Sequence, residues 1–153
     1  MTRRAAHAAR AATLLLLLLA PAGCSRTTAR LSPEMQRRLE SEGVLRRADE
    51  ELFRYTHGMG TRRGGWEEMP ASIIVTRQTV MIHRNEKTLL EITPRSAGGY
   101  RVNRDHDRLS IRAGSGRSAR SWSFHPPGDA AGWAGDIRGV LRAPAGAASA
   151  GSG

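Results

Sequence analysis

Ile73-Ile74-Val75-Thr76-Arg77-Gln78-Thr79-Val80-Met81-Ile82-His83 reads as two apolar, β-branched runs joined by a polar pair, the pattern of two antiparallel strands and a tight hairpin. On the C-terminal side, Thr88-Leu89-Leu90-Glu91-Ile92 makes a third run, and Pro94 with Gly98-Gly99 punctuates the chain before Tyr100-Arg101-Val102. Leu109-Ser110-Ile111 alternates, Gly114-Ser115-Gly116 reverses the chain, and residues 119–125 alternate again with Trp122 and Phe124 on one face. Short strands at close spacing with turns between them predict an antiparallel meander or small barrel of about six or seven strands.

Pro126-Pro127-Gly128-Asp129 then stops the last strand and offers a cap. Trp133, Ile137, Val140 and Leu141 follow at i, i+4, i+7 and i+8, one apolar stripe on a helix over residues 129–142 that must cover the sheet. Residues 143–153, all Ala, Gly, Ser and Pro, are expected to form a disordered tail.

On the N-terminal side, Ser32-Pro33-Glu34 opens a helix with a hydroxyl cap, proline at the first helical position and a carboxylate in the first turn. Met35 and Leu39 share a stripe, and Gly43 marks a break or kink. Leu45, Ala48 and Leu52 fall on a common helical face, so the helix is expected to resume after Gly43, with the N-terminal helical segment over residues 32–48. Residues 52–57 can be read as a last helical turn or a first strand, and residues 58–65 are turn-rich. The expected class is α+β, mostly β, with one helix at each end and a β-rich domain over residues 51–142.

This order of strands, closed by a C-terminal amphipathic helix with a tryptophan in its first half, resembles the pleckstrin-homology-like barrel and the related GRAM domains. Residues 71–76 leading into Val80-Met81-Ile82 look like that family's second and third strands, and Ser121-Trp122-Ser123-Phe124 leading into Asp129 and Trp133 looks like its last strand and helix. The resemblance places Arg62-Arg63 in the loop between the first two strands, where the family often grips a phosphoinositide headgroup. The surrounding basic signature is incomplete here, so the fold is carried over and the ligand is not.

The first residues concern location. Arg3, Arg4 and Arg10 precede the run of leucines at 14–19, which leads through Ala20-Pro21-Ala22-Gly23 to Cys24, the sole cysteine. A cationic start, an apolar stretch too short to span a bilayer and small residues at the cut site predict a secretory signal over residues 1–23. The Ala22-Gly23-Cys24 sequence resembles the lipobox of bacterial lipoproteins, with Pro21 standing where leucine is usual. That resemblance implies cleavage between Gly23 and Cys24, diacylglycerol on the thiol, and a further acyl chain such as palmitate on the new amine. Ser25, where aspartate would hold the product at the inner membrane, implies an outer-membrane site facing the periplasm of a Gram-negative cell. The other readings are a plain signal cut near Ala22, leaving a free thiol, and an uncleaved anchor. Residues 24–31 make a short tether; six extended residues reach at most about 20 Å.

The whole chain carries a net charge of +10, which losing the three signal arginines lowers to +7, and Lys87 is its one lysine. Arginine offers bidentate geometry to phosphates and carboxylates, so an anionic lipid, an envelope polymer or another envelope protein is an expected partner. Nucleic acid is not expected outside the cytoplasm. With one cysteine no internal disulfide can form, and the fold must rest on its core.

No catalytic constellation assembles from the residues. In Asp105-His106-Asp107, alternate strand residues would face opposite ways, so an exposed turn is expected and no metal site. Asp49-Glu50-Glu51 and Glu67-Glu68 read as solvent-facing pairs. Ser121 and Ser123 lack a nucleophile elbow, and no cofactor motif is present. Trp66, Trp122 and Trp133 read as core and helix-packing residues, with Trp66, in its Gly-rich loop, also a candidate with Arg62 and Arg63 for ligand or membrane contact. The expected function is a non-enzymatic, membrane-anchored envelope binding or scaffolding module. The alternative is a small envelope hydrolase or cell-wall-modifying factor.

Overall fold

The computed structural model describes residues 31–58 and 64–144. Helix α1 (Pro33–Glu42) starts as its sequence dictates: Ser32 Oγ accepts from the Met35 N–H at 3.2 Å, with Pro33 in the first turn. Gly43 ends it, with φ +76°, a left-handed conformation that glycine adopts without steric cost.

The chain does not resume a helix after Gly43. It enters a 14-residue strand, β1 (Val44–His57), paired along its length with β2 (Gly65–Thr76) from Val44↔Thr76 to His57↔Gly65. Two register shifts, between Val44 and Arg46 and between Ala48 and Glu51, break the period-2 alternation. The helix-like spacing of Leu45, Ala48 and Leu52 therefore does not mark one face. Leu45 and Leu52 are exposed, and only Ala48 is buried.

The remaining strands follow the expected order: β3 (Val80–Arg84), β4 (Lys87–Ile92), β5 (Tyr100–Asp105), β6 (Arg108–Ala113) and β7 (Arg120–Phe124). They form one seven-stranded antiparallel sheet in the order β4-β3-β2-β1-β7-β6-β5. The end of β1 lies between β2 and β7, so this strand joins the two halves. Helix α2 (Ala130–Arg142) packs chiefly on β5 and also touches β1, β2 and β6. The α+β, mostly β architecture with a helix at each end is as the sequence predicts.

The main core lies inside the curl of the sheet. Phe53, Ile73, Val75, Ile82, Leu109, Ile111, Trp122 and Phe124 meet Trp133, Ile137 and Val140 of α2. Phe53 stacks on Phe124 at 4.7 Å between centroids, and the Trp133 ring meets Phe124 edge-on at 6.1 Å, both favoured aromatic geometries. Asp129 caps α2 by accepting from the Ala131 and Gly132 N–H groups at 2.9 Å each.

A second, smaller cluster lies on the outer side of the sheet: Leu39 of α1 packs on Ile74 and Met81, with Met35 and Leu31 alongside. Leu31, assigned to the tether from sequence, thus belongs to the folded unit. Because α1 covers this half, β2 is buried without interruption from Ala71 to Thr76, whereas Trp66, Glu67 and Glu68 are exposed. Among the described residues, no helix lies over the outer face of the other half, on β5, β6, β7 and the adjoining ends of β1 and β2. The segment expected to be a signal, Cys24, Arg62, Arg63 and residues 145–153 of the expected tail lie outside the described residues.

Candidate binding surface

Register decides what this uncovered face presents. Leu52, Arg54 and Thr56 of β1 stand opposite Pro70, Glu68 and Trp66 of β2. On the other side of β1, Arg54 faces Ser123 and Thr56 faces Ser121 of β7, and these face Ser110 and Arg112 of β6. Arg112 in turn stands opposite Arg101 of β5. Since side chains alternate across a strand, all of these project away from the core.

Trp66 is 60% exposed and Leu52 58%, whereas Trp122 and Trp133 are 6% and 2% exposed. The core reading thus holds for two tryptophans and fails for the third. Trp66 lies at the start of β2, beyond the part covered by α1. Its ring is held rather than free: the Arg54 guanidinium carbon sits 4.9 Å from its centroid, within cation–π range. Arg54 is itself fixed by Glu68, whose Oε1 accepts from Nη2 at 2.7 Å and Nε at 3.1 Å. The pair is solvent-exposed, so it contributes only about 0.2–1 kcal/mol. Its main effect is to orient the cation over the ring.

Beside this clamp lies a shallow cleft of about 240 Å³ lined by Glu51, Leu52, Arg54, Glu68, Arg108, Ser123 and His125. Arginines, an exposed leucine and a clamped tryptophan share one face, a combination that can contact apolar and anionic groups together. Acid–base chemistry is not assembled in the cleft. Ser123 and His125 both line it, but no hydrogen bond joins them, and His125 Nδ1 instead lies 3.4 Å from Asp107 Oδ2 on the surface. Asp105 ends β5, and His106 and Asp107 form the exposed turn that follows, with the side chains of His106 94% and Asp105 88% exposed. Among the described residues no group of three or more His, Cys, Asp or Glu is placed to hold a metal ion, and no helix is long and apolar enough to cross a membrane.

Of the residues expected from sequence to carry the anchor or a ligand contact, Trp66 is located on this surface, and Gly23, Cys24, Arg62 and Arg63 lie outside the described residues. The strands flanking the Arg62-Arg63 loop leave this face at His57 and re-enter it at Gly65. Leu52 and Arg54 were missed because their segment carries a helix-like spacing. The cue available in the sequence was the arginine two places beyond an unpaired leucine, which gains meaning only from the register with β2.

No protein family matches the chain, and no curated protein does. Among solved structures it is similar to the C-terminal phosphotyrosine interaction domain of APBB2 from mouse, at 13% identity and a TM-score of 0.41, over 68% of this chain and 91% of that one. The likeness is partial, and the functional reading rests on this chain's own residues.

Proposed function

We propose that this chain is a non-catalytic binding module, held at a bacterial envelope membrane through acyl chains on Cys24, that grips its partner with the open sheet face around Trp66. The observation that carries the reading is Trp66 itself. A large aromatic ring left 60% exposed and clamped by Arg54 does nothing for the core, and exposed aromatic and arginine residues are the side chains most enriched at contact surfaces. The anchor reading is supported by the sole cysteine directly after an apolar run and two small residues. The partner class that fits is another envelope protein or an anionic envelope polymer.

Two experiments test the parts separately. Intact-mass spectrometry of the membrane fraction should find acyl chains on a chain beginning at Cys24, lost together with membrane retention in Cys24→Ser; an unmodified, soluble product removes the anchor. A photo-crosslinking residue in place of Leu52, in the full chain in cells, should give a defined adduct that is absent from the same probe at Arg37 on α1. Identical adducts at both positions remove the open face as the contact surface.

A further inference from the structure

A second cavity, of about 390 Å³, opens away from the Trp66 face. Its walls come from four separate parts of the chain: the end of α1, the β2–β3 turn, the segment after β4, and Ala143 and Pro144 just past α2. Three arginines line it, Arg38, Arg77 and Arg95. The charge of Arg38 is answered within the fold, with Nε 2.9 Å from Glu42 Oε1 and Nη2 2.6 Å from Glu91 Oε1. Arg77 and Arg95 have no ion-pair partner among the described residues.

Arg77 is also positioned. Its N–H donates to the Gly43 carbonyl at 3.3 Å, and its Nε lies 3.6 Å from where a Cβ on Gly43 would stand. The arginine side chain thus lies alongside the end of α1. Glu42 also lines the cavity but is paired with Arg38, so the charges of Arg77 and Arg95 are left to attract an anion placed between them.

We propose that this cavity binds a phosphate group carried on a small organic body. Each guanidinium can give two parallel hydrogen bonds. Two forks from separate segments of the chain suit the several oxygens of a tetrahedral phosphate better than the two of a carboxylate. The volume falls within the range of about 300–1,000 Å³ usual for small-molecule sites, so a bare anion leaves most of it empty. The phosphate can belong to a soluble ester or to a lipid headgroup. This inference is independent of the Trp66 face.

The test uses the purified full chain in non-ionic detergent and follows the unfolding temperature, which rises as a ligand specific for the folded state is added. The probes are glycerol 3-phosphate, short-chain phosphatidylglycerol and acetate. A rise with glycerol 3-phosphate assigns a soluble ester, and a rise with the lipid alone assigns a headgroup. In either case half-saturation in Arg77→Gln/Arg95→Gln should shift upward by about tenfold or more, the loss of two charge-assisted contacts. The ligand-free unfolding temperature reports whether that variant is folded; if it is not, Arg95→Gln alone, in an exposed segment, replaces it. No rise with either phosphate probe, an equal rise with acetate, or an undiminished response in the folded variant overturns the proposal.

Discussion

The guanidinium of Arg54 lies over the ring of Trp66 from the neighbouring strand, and Glu68 on Trp66's own strand fixes it there. The three form a small assembly on the surface with its apolar component facing outward. An exposed cation–π contact is worth about 0.5–1 kcal/mol, far less than burying a tryptophan would be.

Trp66→Ala should accordingly leave the fold nearly intact, with a stability loss of about 1 kcal/mol or less in urea, while removing the adduct formed from position 52. A loss of several kcal/mol would show that the ring supports the core.

Trp133→Ala is the opposite case. The ring is 2% exposed, meets Phe124 edge-on, and donates its Nε1–H to the Pro127 carbonyl at 3.2 Å. Removing it should cost about 3–5 kcal/mol, read as a drop in the urea midpoint. An unchanged midpoint would take α2 out of the core.

Gly132→Ala should be destabilising although it replaces a glycine within a helix. A Cβ there would press on the Asp129 carboxylate and the Arg46 guanidinium, and Asp129 is the cap of α2. Loss of a cap costs about 0.5–2 kcal/mol, more than the gain in helix propensity of about 1 kcal/mol when the clash is included. Thermal unfolding of the single variant checks the sign, and a rise in Tm would contradict the role given to Asp129.

Acid should weaken the junction of α1 with the sheet. Burial pushes the Glu42 carboxyl up, but hydrogen bonds from Thr76, Arg38 and Thr79 together outweigh burial and hold it below its ordinary value. A group whose pKa is depressed by folding contributes stability that is present above its unfolded pKa and is lost as pH falls through the folded one. Glu42→Gln should therefore lower the urea midpoint at pH 7 and flatten its decline below pH 4.5, the ordinary value for this group. An unchanged pH profile would show that the network around Glu42 adds nothing to stability.

The β2–β3 hairpin was legible because its ladder runs without a bulge from Ser72↔His83 to Val75↔Val80, so the sequence keeps a clean strand pattern. Helix α2 was legible because its cap and its stripe are local features. The first strand was not, since its two register shifts exist only against β2 and interrupt the period-2 alternation by which a strand is read. The binding surface was hidden for a related reason: whether Trp66 is buried depends on how far along β2 helix α1 reaches. Arg54 and Glu68, 14 residues apart in the chain, become partners only through the β1–β2 register.

The most direct test of the account is thiol labelling, made simple by the single cysteine of the chain. If the proposed anchor is present, Cys24 in the full chain should not react with a maleimide. If a partner covers the open face in intact envelopes, as proposed, Leu52→Cys should label several-fold more slowly there than once the protein is purified in detergent. Arg37→Cys, exposed on α1, should label equally in both states. A reactive Cys24 would contradict the anchor, and equal labelling of Leu52→Cys in envelopes and in detergent would contradict the open face as the surface this protein uses.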